Sequence, residues 1–246
     1  MKPDISGSQS SLAFKKANIL FNIGAKLHND ALSKTRDENL KLQVKTLCTG
    51  ATVFDWISSN FDHAPLFDIN KPLSKFFSKL CLLAAQELAF FSAVSEQKGL
   101  KVLARISLGL MSCIKGCQNA LLMDTDGHDL SYFQNCLEVK TLFHNAIHCL
   151  IMAEFWDTQQ LPDIAHDLFR TAKTNLEASL IRNKTPFLDY LEMSILRSGK
   201  EKEQLFGASA KASESTVTVE PFFIATLIDF REVIAPYAAT YESIFK

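Results

Sequence analysis

Apolar residues recur at intervals of three and four along most of this chain, and alternation with period two is absent. The first such stripe runs Phe14, Ala17, Leu20, Phe21, Gly24 and Leu27, the spacing of one helix face. Ser10 or Ser11 would cap its first turn. A charged break, SKTRDEN at 33–39, follows. Asp37 is a fair N-cap for a second helix with the stripe Leu40, Val44, Leu47, Ala51 and Phe54. Gly50 falls mid-helix, where glycine costs about 1 kcal/mol against alanine. This predicts a neighbouring helix in close approach. Turn residues fill the stretch around 60–71, and Pro72 suits the first turn of a third helix. That helix, from Leu73 through Phe91, is apolar over most of its circumference and is expected at the centre of the protein.

The connector SEQKG leads to a fourth helix at about 100–122, and DTDGHD makes a turn. A fifth helix is predicted from about 129 to 157, through Phe133, Leu137, Leu142, Ile147, Ile151 and Phe155. Pro162 opens a sixth, to about 183, and Pro186 precedes a seventh, charged helix to about 205. Residues 206–220 are small and polar and read as an internal linker. A C-terminal helical segment is expected over 221–246, broken before Pro236. Residues 1–11 read as a flexible tail and 12–246 as one domain. The fold class is all-α: long antiparallel helices with short connectors form either a bundle or a helical-hairpin solenoid. No internal repeat is visible.

Composition narrows the picture. The 246 residues can bury a sizeable core, and 47% hydrophobic with 22% charged residues is ordinary for a globular chain. A net charge of −1 gives no global basic field for nucleic acid. No unbroken apolar run reaches the ~18–20 residues of a membrane span, and the polar start MKPDISGSQSS lacks the apolar core of a signal peptide. The six cysteines, mostly inside apolar helical patterns, read as reduced thiols.

Candidate chemistry is sparse. No phosphate-binding glycine loop and no nucleophile elbow occurs. His144 and His148 lie four apart, as do Cys113 and Cys117. A Cys₂His₂ metal site is conceivable if the two helices faced each other, but core thiols and partly exposed histidines are the simpler expectation. No metal, cofactor or catalytic residue is therefore assigned. Glu87, beside Gln86 in the apolar third helix, is read as a buried structural carboxylate. The fourth helix has the core stripe Leu103, Ile106, Leu110, Ile114, Cys117 and Leu121. Val102 lies outside that stripe and pairs with Ile106 at i, i+4, so the apolar arc is wider than one contact surface needs. Either the helix packs on two neighbours, or an exposed patch receives a partner's amphipathic helix.

Three stretches resemble the Bro-one domain family of Alix- and PalA-like proteins. LAFKKANILFNIGAKL at 12–27 is similar to the family's L-x-F-E-K-x-x-x-L-F-N-I helix. LLAAQELAFFSAV at 82–94 is similar to its A-Q-A-Q-E-x-F-F segment, and KVLARIS at 101–107 follows at the family's spacing. Weaker likeness continues through 139–156 and 230–245. The order and spacing of the motifs carry the match, which covers most of the chain.

The resemblance implies a curved solenoid of tetratricopeptide-like hairpins that acts as a non-enzymatic adaptor. Its partner would be the C-terminal amphipathic helix of an ESCRT-III subunit, in endosomal sorting or ambient-pH signalling. The protein would be cytoplasmic and reach the endosomal membrane peripherally, through partners. The docking positions implied are Val102 and Ile106, with Ala89 where the family can place a Phe, and Lys41, Val44 and Lys45 bordering the groove. The family's N-terminal portion with strands and its Asn-Asp-Phe-Ile-Tyr-His segment are expected to be missing. The alternative is a generic helical scaffold without ESCRT binding.

Overall fold

The computed structural model describes residues 12–33, 39–61, 69–122, 129–182, 184–206 and 221–222. Seven helices account for most of them: α1 (Leu12–Leu32), α2 (Leu40–Asn60), α3 (Lys71–Ser95), α4 (Leu100–Leu121), α5 (Ser131–Thr158), α6 (Pro162–Ala178) and α7 (Thr185–Phe206). The described residues contain no strand, and the architecture is an all-α array of helical hairpins. The proposed serine caps before α1, Asp37, the DTDG turn and most of 206–220 and 223–246 lie outside the described residues.

The helices fall into two compact units. The first holds α1, α2, α3 up to Ala89 and α4 from Lys115. The second holds Phe90–Ile114, α5, α6, α7 and Phe222.

In the first unit, α1 packs along α2 around three rings. Phe54 lies 5.4 Å from Phe21 and 5.5 Å from Phe77, centroid to centroid, and Phe21 lies 5.7 Å from Phe77. Such tilted and edge-on contacts suit the ring quadrupoles. Ala17, Ala51, Ile57, Ile69 and Cys81 complete this core. The α2 N-cap is Asn39, whose side chain accepts from the Leu42 amide. At Gly50 an added Cβ would meet the Gly24 carbonyl at 3.4 Å, so the anticipated close approach comes from α1. Lys75 reaches across to Asp55 at 2.5 Å.

α3 is long and apolar enough to cross a membrane by length and composition, but 44% of its most apolar window is buried within the fold. Phe76, Leu83 and Phe90 are all but fully buried along it. The buried polar side chains there are Ser74, Ser78 and Gln86, whereas Glu87 is only half-buried, so the carboxylate expected to be buried is not.

In the second unit, α5, α6 and α7 follow as successive hairpins packed on Phe169, Ala165, Ala172 and Leu191. α6 stops at Ala178, short of the expected end, because Ser179 turns extended (φ −70°, ψ 141°). The Lys184 ammonium then donates to the carbonyls of Leu176, Glu177 and Ser179 at 3.0, 2.6 and 2.6 Å. A cation there satisfies orphan acceptors at the negative end of the helix dipole.

Candidate partner-docking site

Two turns with the same chemistry position the helices of the second unit. After α3, the Lys98 amide donates to Ala93 O and the Gln97 amide to Val94 O, each at 3.0 Å. After α5, the Leu161 amide donates to Trp156 O at 3.1 Å and the Gln160 amide to Asp157 O at 3.0 Å. Both are Schellman closures, which need a left-handed residue at C′. Gln97 (φ 53°) and Gln160 (φ 59°) hold that position where glycine is usual. Gly99 O then accepts from the amides of Val102 and Leu103 at 2.9 and 3.1 Å, which starts α4.

Along α4 the core stripe is buried as its periodicity demands: Leu103 is 9% exposed, Ile106 3% and Leu110 0%. Val102 is 46% exposed. The i, i+4 pair is thus split, with Val102 at the surface and Ile106 inside the core. Arg105, three residues beyond Val102, is exposed on the same side of the helix. Its guanidinium carbon lies 5.7 Å from the centre of the Phe222 ring, a cation–π contact. The Phe222 amide donates to Arg105 O at 3.0 Å. Phe222 is itself 46% exposed. Val102, Arg105 and Phe222 therefore form a surface of two apolar groups beside a fixed cation. Phe222 was not among the residues picked from sequence, because nothing local in PFF at 221–223 signals a contact with a helix so distant in the chain.

The other implied positions lie in the first unit. Ala89 is buried, at 7% exposure. Val44 is half-buried against the small core of Ala31, Leu47, Cys48 and Ala85. Lys41 and Lys45 are exposed on α2.

Beneath Arg105, Ser107 Oγ donates to Ala104 O at 2.9 Å and lies 2.8 Å from His148 Nδ1. Burial pushes the His148 imidazole below its usual pKa. Ser107 is 2% exposed, so this pair ties α4 to α5 and does not present a nucleophile. Among the described residues no group of three or more His, Cys, Asp or Glu is disposed to hold a metal ion. A separate open cleft of ≈ 430 Å³ is lined by Leu100, Leu150, Ile151, Pro186, Phe187 and, at its polar edge, Glu154, which accepts from the Tyr190 hydroxyl.

Comparison with known proteins agrees with this helical array. The family model described as the BRO1-like domain matches residues 2–217. The chain belongs to the BRO1-like domain family. It is 37% identical over 102 residues to a vacuolar protein-sorting protein, bro1, of Aspergillus fumigatus, covering 41% of this chain and 10% of that protein. A vacuolar-sorting protein of Saccharomyces cerevisiae, BRO1, is 25% identical over 115 residues, covering 46% of this chain and 14% of that protein. The matched region is thus a small part of these BRO1 relatives. Among solved structures, one described as the basis for endosomal targeting by the Bro1 domain superposes with a TM-score of 0.82 at 18% identity, over 98% of this chain and 72% of that one. The BRO1 domain of ALIX in complex with CHMP4C gives 0.75 at 18% identity, over 90% and 65%. At these identities the superpositions establish the BRO1 fold.

Proposed function

We propose that this BRO1-like chain is a non-enzymatic adaptor that docks the C-terminal amphipathic helix of an ESCRT-III subunit. The observation that carries the reading is the exposure of Val102, an aliphatic residue at the surface of a helix whose stripe of Leu103, Ile106, Leu110, Ile114 and Leu121 is in the core. Arg105 and Phe222 beside it supply a cation and an aromatic face, which suits an acidic amphipathic helix. Family membership and the sorting proteins among its relatives support the same reading. The protein would act in the cytoplasm, at endosomes, and reach the membrane through partners. Endosomal sorting and ambient-pH signalling would use the same docking event.

The test is fluorescence polarisation with a labelled C-terminal helix of an ESCRT-III subunit. Wild type should bind saturably, and Val102→Asp should weaken binding by about tenfold or more, as expected of an interface anchor. Ile106→Asp is not the informative variant, because at 3% exposure it would put a charge in the core. Lys41→Glu with Lys45→Glu forms a separate arm for the first unit. Unchanged affinity in Val102→Asp sinks the assigned site. Absence of wild-type binding would favour the second reading, a helical scaffold without ESCRT binding, which the burial of Ile106 and Ala89 supports.

A further inference from the structure

The outer face of α7 is apolar at its centre and oppositely charged at its two ends. Met193 and Leu196 are 72% and 65% exposed, among the most exposed large apolar side chains described. Asp189 and Lys200 are exposed on the same side of the helix. The four positions follow one another at intervals of four, three and four residues, the spacing of a coiled-coil seam. The opposite face, with Leu191, Ser194 and Ser198, is buried. It is held to α6 through His166 Nδ1, 3.2 Å from Ser198 Oγ and 3.1 Å from Ile195 O. The seam is therefore not the surface by which α7 joins its own fold. Among the described residues, neither Asp189 nor Lys200 has an ion-pair partner. Nearby charges are already engaged: Glu192 pairs with Lys173 at 2.7 Å and Arg197 with Asp157 at 2.7 Å.

We propose that α7 is a self-association face on which two copies of this chain pair antiparallel about a two-fold axis. The occupant follows from the order of the seam. Reversed and laid against itself, Asp–Met–Leu–Lys becomes Lys–Leu–Met–Asp. One axis, midway between Met193 and Leu196, sets each Met193 against the other copy's Leu196. The same axis sets each Asp189 against the other copy's Lys200. An isologous interface makes every contact twice, so two apolar pairs sit at the centre with an ion pair at either end. A parallel arrangement would instead bring each charge next to its like. The seam spans ~16 Å, or three turns. That is short for a stable dimer, so the pairing is reversible and concentration-dependent.

Sedimentation equilibrium of the whole chain, from micromolar to millimolar concentration, tests the proposal. The average mass should rise from 27.5 kDa toward twice that value. Met193→Asp with Leu196→Asp, both at exposed positions, should hold the mass at the monomer value with unchanged helical circular dichroism. Lys200→Asp alone places carboxylates opposite one another and should weaken association several-fold. Adding Asp189→Lys to Lys200→Asp exchanges the ends of the seam and should restore it. A mass that stays monomeric at every concentration overturns the proposal and leaves the face to a different protein. So does association indifferent to these substitutions, which would place the contact elsewhere on the molecule.

Discussion

Gly24 on α1 backs onto the ring of Phe54 on α2 so closely that a Cβ there would lie 2.9 Å from Cζ and 3.0 Å from Cε2. The ring cannot swing clear, since Phe21 and Phe77 hold it on either side. The same two helices meet at Gly50, but there an added Cβ would lie at 3.4 Å from Gly24 O and 3.6 Å from Leu27 Cβ, ordinary contact distances.

The two glycines should therefore respond in opposite directions to alanine. Overpacking costs about 1–3 kcal/mol, against about 1 kcal/mol gained in helix propensity. Gly24→Ala should destabilise by about 1 kcal/mol. Gly50→Ala should be neutral or stabilising by up to about 1 kcal/mol. Urea denaturation of both variants measures the contrast, and equal losses would refute it.

At Gln97 the strain lies in the backbone. A non-glycine residue in the left-handed region costs roughly 1 kcal/mol, and the turn needs that conformation to close α3. Gln97→Gly should raise stability by about this amount, seen as an upward shift in the thermal midpoint. Gln160→Gly after α5 should do the same.

His148 gives the second unit a pH dependence of known sign. Burial lowers its pKa below 6.5 in the folded protein. The unfolded chain then binds more protons once the pH drops below about 6.5, so acid favours unfolding. The stabilisation is complete above that value and is lost as the pH falls toward the folded pKa. Replacing His148 by Gln keeps a group able to hydrogen-bond Ser107 but removes the titration. Melting curves between pH 7.5 and 5 should show a smaller loss in His148→Gln than in wild type.

The cysteines should separate by reactivity. Burial, with Cys117 and Cys48 nearby, pushes the Cys81 thiol up to about 12, and burial raises Cys149 as well. Cys136 is exposed. Brief iodoacetamide treatment of the native protein, read by peptide mass spectrometry, should modify Cys136 first. Cys48, Cys81, Cys117 and Cys149, all buried, should react only after denaturation. Early labelling of Cys81 would contradict the packing described.

The helices were legible because each buries one face, and a buried face must repeat at the helical period. Their ends were less so. Asn39, not Asp37, supplies the α2 cap, and the apolar pattern of α6 outruns the helix, which Lys184 closes from beyond the next turn. The two left-handed glutamines could not be anticipated, since that conformation is imposed by the turn and not favoured by the side chain. The expected C-terminal helix meets the described structure only at Pro221 and Phe222, which are not helical.

The sequence by itself determined the all-α class, the succession of helices, the family and the surplus apolar position at Val102. These follow from periodicity and local motif, which are carried by neighbouring residues. Tertiary structure decided that the surplus Val102 stays in water instead of packing on a second neighbouring helix. It also brought Phe222 onto Arg105 and left the α7 seam facing outward. Those outcomes depend on which helix covers which face, a contest among groups far apart in the chain that no local pattern records.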